Sequence, residues 1–152
     1  MQNMLKQGRR KKTRTSELYE IAANSGTSVL CYDLPETCSV SVMTASGQCF
    51  VGIDPMQLET EAEERVHLAH ELGHCVTGSF YNTYSAADIR KKHEIRADRR
   101  AAAWLVPVEE LKSAIRSGIT EIWSLAEYFD VTEDFLRNAV ENYSVMGLLR
   151  CE

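Results

Sequence analysis

The pentapeptide His70-Glu71-Leu72-Gly73-His74 contains the residue types of a hydrolytic metal site. Four residues are about one helical turn, so in a helix His70 and His74 share a face and can bind one metal ion. Glu71 then lies beside the ligands, where its carboxylate can take a proton from a bound water. The spacing predicts metal-assisted hydrolysis. Two unrelated histidines on a surface helix would give the same short pattern.

The residues around this motif predict a helix that is packed against the rest of the protein. Thr60, with Glu63 three positions later, forms a capping-box pattern, and Gly78 supplies a stop signal. The apolar positions between these signals recur at helical spacing and predict a buried stripe. They are Ala62, Val66, Ala69, Gly73 and Val76.

A second helix is predicted downstream, and it offers a third ligand. A catalytic zinc site has three protein ligands and one open position. Residues 92–107 are rich in Ala and Arg and end at Pro107. Glu94 and Asp98 share a face of this helix: Glu94 can complete a His/His/Glu set, and Asp98 can orient a ligand histidine. Alternatively, both acids pair on a solvated face with Arg90, Arg99 or Arg100.

Residues 65–107 resemble the ImmA/IrrE family of zinc metallopeptidases of phages and mobile elements. The family pattern is HELGH followed by E-x-x-A-N-x-F-A-x-x-L-L-x-P. The residues that match its second part are Glu94, Ala97, Ala101, Leu105 and Pro107. Two positions differ, since Asp98 stands where Asn is usual and Arg100 where Phe is usual. Asp98 makes the segment similar to the ExxxD of thermolysin-like (gluzincin) enzymes.

This resemblance implies a function as well as a site. It implies that His70, His74 and Glu94 bind zinc and that Glu71 is the catalytic base. It also implies a protein substrate, a helix-turn-helix transcriptional repressor whose cleavage releases silenced genes. The alternative is a non-hydrolytic regulator, an anti-repressor or DNA-binding protein, that keeps the metallopeptidase fold.

Length and composition are those of a globular cytoplasmic protein. The 152 residues contain no apolar run near the ~20 needed to cross a membrane, and no apolar segment of a secretory signal. The cysteines are odd in number and lack CxxC spacing, which predicts reduced thiols. They are Cys31, Cys38, Cys49, Cys75 and Cys151. Cys75 adjoins His74 but points about 100° away around the helix, so it is not counted as a ligand.

Charge divides the chain into two parts. Residues 1–14 carry six basic side chains and no acidic one, and are expected to form a flexible basic arm. Residues 15–152 are expected to form a single metallopeptidase domain. The remaining 11 basic and 22 acidic residues give this domain a net charge of −11, which would repel DNA and attract a basic protein.

The predicted fold is α+β. Three short strands, at about 28–32, 38–43 and 48–53, are expected to form an antiparallel sheet beside a helical bundle. The C-terminal part, 108–147, is predicted to be helical. Its last two helices, capped by Thr120 and Thr132, have the spacing of a helix-turn-helix. The second of them carries three acids and one base, a poor surface for phosphates, so nucleic acid binding is not expected.

Four further residues near the metal motif could contribute to the site. His67 shares the face of His70 and His74, and a position on the helix surface or behind the ligands is favoured over direct ligation. Tyr81, Tyr84 and His93 can each donate a hydrogen bond to the oxyanion of a tetrahedral intermediate. The sequence does not choose among these three.

Overall fold

The computed structural model describes residues 13–82 and 84–150, so residues 1–12 of the predicted basic arm lie outside the described part. The described residues form six helices and one three-stranded sheet, which confirms the α+β class. The elements are α1 (Thr15–Asn24), β1 (Ser28–Cys31), β2 (Ser39–Met43), β3 (Cys49–Ile53), α2 (Glu61–Thr77), α3 (Ala87–Leu105), α4 (Val108–Arg116), α5 (Ile122–Phe129) and α6 (Glu133–Val145). None of these helices is long and apolar enough to cross a bilayer.

The sheet is mixed, so the prediction of an antiparallel sheet is wrong for one of its two pairings. β2 and β3 form an antiparallel hairpin closed by the hydrogen bond from Thr44 N–H to the Gln48 carbonyl. β1 does not pair with β2, its neighbour in sequence, but lies parallel to β3, with strand order β1-β3-β2. The seven residues between β1 and β2 are long enough to carry the chain past β3. β2 is therefore an edge strand.

The inner face of the sheet packs against α2. On β3 the side chains of Cys49, Val51 and Ile53 are buried and alternate with half-buried neighbours, as expected for a strand with one covered face. Leu68 and Leu72 of α2 are fully buried in the same core. The sheet therefore holds the helix that carries the metal motif.

Helix α2 begins and ends as the sequence predicts. The Thr60 side chain accepts a hydrogen bond from Glu63 N–H (3.1 Å), and Gly78 ends the helix in the left-handed region at φ 64°. The Glu63 carboxylate accepts from Glu59 N–H, so only half of the capping box forms. The predicted apolar stripe is partly wrong because Val76 is 37 % exposed, whereas Ala69 and Gly73 are buried.

Helices α2 and α3 pass very close to each other at Gly73. A Cβ placed on Gly73 would lie 2.6 Å from the Ala97 carbonyl oxygen. Ala97 stands between Glu94 and Asp98 on α3, and Gly73 stands beside His74 on α2. The glycine therefore allows the contact that brings the two polar faces together.

A disulfide joins Cys49 of β3 to Cys75 of α2, with 6.0 Å between the two Cα atoms. The prediction that the cysteines are reduced thiols is therefore wrong for this pair, whereas Cys31 and Cys38 are free and Cys151 lies outside the described residues. Two cysteines 26 positions apart have no sequence spacing that indicates pairing, because the contact depends on how the sheet packs on α2. The bond fixes α2 to the sheet one residue after His74.

The C-terminal helices pack against α3 and the core. Helix α5 begins at Ile122 rather than at the predicted Thr120 cap. Helix α6 begins where predicted, since the Thr132 side chain accepts from Phe135 N–H. The Tyr143 hydroxyl donates to the Val106 carbonyl, which ties α6 to the end of α3.

Candidate metal centre

The side chains of His70, His74 and Glu94 converge on one point between α2 and α3. The two Nε2 atoms are 3.2 Å apart, and the Glu94 carboxylate oxygens lie 3.1 Å from His70 Nε2 and 3.3 Å from His74 Nε2. Two ligand atoms bound to one tetrahedral zinc ion at ~2.0–2.1 Å are about 3.3 Å apart. The spacing of the three side chains therefore fits a zinc ion.

Hydrogen bonds on the far sides of the rings determine which nitrogens face this point. His70 Nδ1 lies 2.8 Å from Asp98 Oδ1, and His74 Nδ1 contacts the Ser79 carbonyl oxygen. A carboxylate and a carbonyl only accept hydrogen bonds, so both Nδ1 atoms must carry the hydrogen. In the neutral rings both Nε2 atoms then present lone pairs beside the Glu94 carboxylate. Three acceptors facing one another need a metal cation or protons between them.

The pKa shifts indicate the same local preference for positive charge. Burial disfavours the charged His70 ring, but hydrogen bonds to Asp98 and Glu94 outweigh it and raise its pKa to about 10. The pKa of His74 is also raised against the effect of burial, chiefly by its hydrogen bond to Glu94. Hydrogen bonds from both histidines lower the pKa of Glu94. A bound divalent cation would take the place of the protons that this field attracts.

Asp98 lies behind His70, in the place that the sequence predicts for it. Its Oδ1 accepts from His70 Nδ1–H, and its Oδ2 accepts from Asn138 Nδ2 of α6 at 3.1 Å. Arg100, one of the partners in the alternative prediction, instead lies 5.4 Å from the centre of the Trp104 ring. The carboxylate therefore connects a helix of the C-terminal part to the metal centre.

Glu71 lies beside the ligands, at the wall of a cavity of about 330 Å³ that also contains His70, His74 and Glu94. Its side chain is buried, and its Oε1 accepts a hydrogen bond from the Ser39 hydroxyl at 2.9 Å. The cavity is bordered on one side by the edge strand β2. A carboxylate next to a metal centre in an open cleft can act as a general base.

The three candidates for oxyanion stabilisation lie in different positions. Tyr81 lines the cavity, and its hydroxyl donates to Glu94 Oε1 at 2.7 Å. His93 stacks against the Tyr81 ring, with centroids 6.3 Å apart. Tyr84 is 96 % exposed and does not line the cavity. Of the three, the structure places only Tyr81 within the described walls of the site.

Three further contributors are not evident from the sequence motif: Ser39, the Ser79 carbonyl and Asn138. Ser79 directly follows the helix stop at Gly78, and a backbone carbonyl at that point can accept a hydrogen bond from a ligand histidine. Ser39 and Asn138 come from segments far away in sequence, and their residue types are common on surfaces. No local signal distinguishes them.

Comparison with known proteins places this site in a recognised family. Residues 53–141, more than half of the chain, match a peptidase-family model described as the IrrE N-terminal-like domain. The matched segment includes the whole of α2 and α3. No curated protein and no solved structure is significantly similar to the chain. The chain therefore belongs to the IrrE N-terminal-like (ImmA/IrrE) family, a family of the metallopeptidase type.

Proposed function

We propose that this protein is a zinc-dependent endopeptidase that cleaves a helix-turn-helix repressor of a phage or mobile element. The observation that carries the proposal is the convergence of His70, His74 and Glu94 next to the buried carboxylate of Glu71. Bound there, zinc would lower the pKa of a water towards ~7 and polarise the scissile carbonyl.

The chain's own groups have separate tasks in this reaction. Ser39 occupies Oε1 of Glu71, so Oε2 is the oxygen that takes a proton from the attacking water and returns it to the leaving amine. Asp98 and the Ser79 carbonyl hold the two ligand rings in the tautomer that binds metal. The Tyr81 hydroxyl lies at the cavity wall and donates its single hydrogen to Glu94 Oε1; by turning away from Glu94 it could donate that hydrogen to a developing oxyanion instead.

The edge of β2 offers a place for the substrate backbone. Val40 and Val42 form the hydrogen-bonded pairs with β3, because Asp54 N–H donates to the Cys38 carbonyl and the pattern alternates. Ser41 therefore directs its N–H and carbonyl away from β3, and it lines the cavity. An extended peptide added to this edge would carry its scissile bond past the metal centre.

The charge of the chain supports a basic protein substrate. The chain after residue 14 carries a net charge of −11, and DNA-binding proteins carry basic surfaces. Helix α6, which would read DNA in a helix-turn-helix, carries three acids and one base. Its Asn138 donates to Asp98 and so faces the metal centre. These features support a protein substrate over a nucleic acid.

The direct test is to incubate the zinc-loaded protein with the repressor encoded beside its gene, with and without chelator. We expect cleavage that the chelator abolishes. Glu71→Gln should keep zinc but lose at least ~10²-fold in rate, because the amide cannot accept the proton. Glu127→Gln, an exposed change of the same kind on α5, is the control and should cleave normally.

Two outcomes would contradict the proposal. Normal cleavage by Glu71→Gln would refute the assigned base. Tight binding of the repressor without any cut, unaffected by chelator, would instead support the alternative of a non-hydrolytic regulator.

A further inference from the structure

A chain of hydrogen bonds runs from Glu71 to Ser39, which also lines the cavity, and from Ser39 to His67. The Ser39 hydroxyl is 2.9 Å from Glu71 Oε1 and 3.1 Å from Nδ1 of His67. Ser39 and Glu71 are buried, and His67 is half-buried one turn before the metal motif. These hydrogen bonds therefore join the edge strand β2 to two positions of α2.

The number of available hydrogens fixes the direction of these bonds. A carboxylate only accepts, so the single Ser39 hydroxyl hydrogen goes to Glu71. The Ser39 oxygen can then only accept from His67, which must carry its hydrogen on Nδ1. Burial lowers the pKa of His67, in keeping with a neutral ring. The order is His67 Nδ1–H to Ser39 Oγ–H to Glu71 Oε1.

The location of Ser39 argues against a purely incidental hydroxyl. Residue 39 faces the helices at the inner side of the sheet, where an apolar side chain would fill the space without a desolvation cost. A buried hydroxyl is tolerated when its hydrogen bonds are made, and here both partners lie on the helix of the catalytic motif.

We propose that Ser39 and His67 are positioning residues that hold the Glu71 carboxylate in the orientation required of a general base. Without them the carboxylate can rotate about its side-chain torsions and lose alignment with the water that it activates. The part of this inference that concerns rate rests on the proposed peptidase function, whereas the bonded network does not.

The network is tested first without any activity measurement. Long-range proton–nitrogen NMR correlations of the zinc-loaded full chain, at neutral pH, report which nitrogen of His67 carries the hydrogen. We expect the Nδ1–H form in the wild type and the commoner Nε2–H form in Ser39→Ala. Ser41→Ala, two residues along the same face of β2, should leave the Nδ1–H form unchanged. A wild-type His67 in the Nε2–H form would overturn the network. This measurement uses the wild-type protein alone, so it does not depend on whether a variant folds.

The positioning role is tested next by the kinetics of repressor cleavage. Losing one hydrogen bond to a charged group should lower kcat of Ser39→Ala by ~10-fold or more, with KM and zinc content unchanged. Ser39→Thr keeps the hydroxyl and should restore kcat. A wild-type kcat in Ser39→Ala would overturn the positioning role. If no substrate is cleaved at all, the peptidase proposal fails, but the His67 tautomer still decides whether the network exists.

Discussion

Gly73→Ala is the substitution most directed at the geometry of the metal centre. The added Cβ would lie 2.6 Å from the Ala97 carbonyl oxygen, 3.1 Å from its Cα and 3.2 Å from its carbonyl carbon. Real Cβ atoms essentially never approach within 3.0 Å. All three obstructing atoms belong to the backbone, so no change of rotamer can relieve the contact. α2 and α3 must move apart.

The distances give the size of that movement and of its consequences. Reaching the 3.4 Å of ordinary contact requires a shift of about 0.8 Å at Ala97. Ala97 lies between Glu94 and Asp98, so both carboxylates move with it. Metal–ligand distances tolerate only ~0.2 Å, and we expect zinc affinity to fall by ~10–100-fold. Crowding costs ~1–3 kcal/mol and improved helix propensity returns ~1, so the unfolding free energy should fall by ~0–2 kcal/mol.

Two measurements check this prediction. Denaturant unfolding of the metal-free protein gives the change in stability, and competition with a chromogenic chelator gives the zinc affinity. Val76→Ala on the exposed side of the same helix is the control, because it raises helix propensity without a clash. If Gly73→Ala binds zinc like the wild type and is more stable, the close contact does not set the site.

Three further predictions concern the ligands, the residue behind them and the substrate edge. The double variant His70→Ala/His74→Ala should contain no zinc, and stoichiometric metal by elemental analysis would contradict the ligand assignment. Asp98→Ala should weaken zinc binding by ~10–100-fold, and Asp98→Asn by less because its amide oxygen still accepts; equal affinities in a zinc titration would show that Asp98 does not contribute to zinc binding. Ser41→Pro removes an N–H that faces the free edge and should raise KM by ~3–10-fold relative to Ser41→Ala; an unchanged KM would exclude strand pairing at this residue.

The parts of the site that lie on α2 and α3 follow from the sequence because their geometry is local. Helical periodicity alone places His70 above His74 and Glu94 above Asp98. The start signal at Thr60 and the stop signal at Gly78 fix the limits of α2. The structure brings His70, His74 and Glu94 together, with Asp98 hydrogen-bonded to His70. That the first three bind zinc stays a prediction.

The parts that come from elsewhere could not be predicted, because they depend on contacts between distant segments. Ser39 reaches Glu71 across 32 positions, and Asn138 reaches Asp98 across 40. Neither contact can be foreseen before the packing of β2 on α2 and of α6 on α3 is known. The parallel pairing of β1 was mispredicted because local patterns do not specify which edge of a strand is occupied. The disulfide was mispredicted because it depends on how β3 packs against α2.

These distant contacts also explain the helix-turn-helix spacing of α5 and α6. The exposed charged residues of α6 are three acids, Glu133, Asp134 and Glu141, and one base, Arg137. In α6 the buried residues Phe135, Leu136 and Ala139 pack on the core, and half-buried Asn138 beside them supplies the hydrogen bond that holds Asp98. The apolar spacing that resembles a helix-turn-helix is thus the spacing that packs α6 against the core and α3. In this position α6 supports the metal centre through the bond from Asn138 to Asp98, while β2 contacts Glu71 through Ser39 from the cavity side.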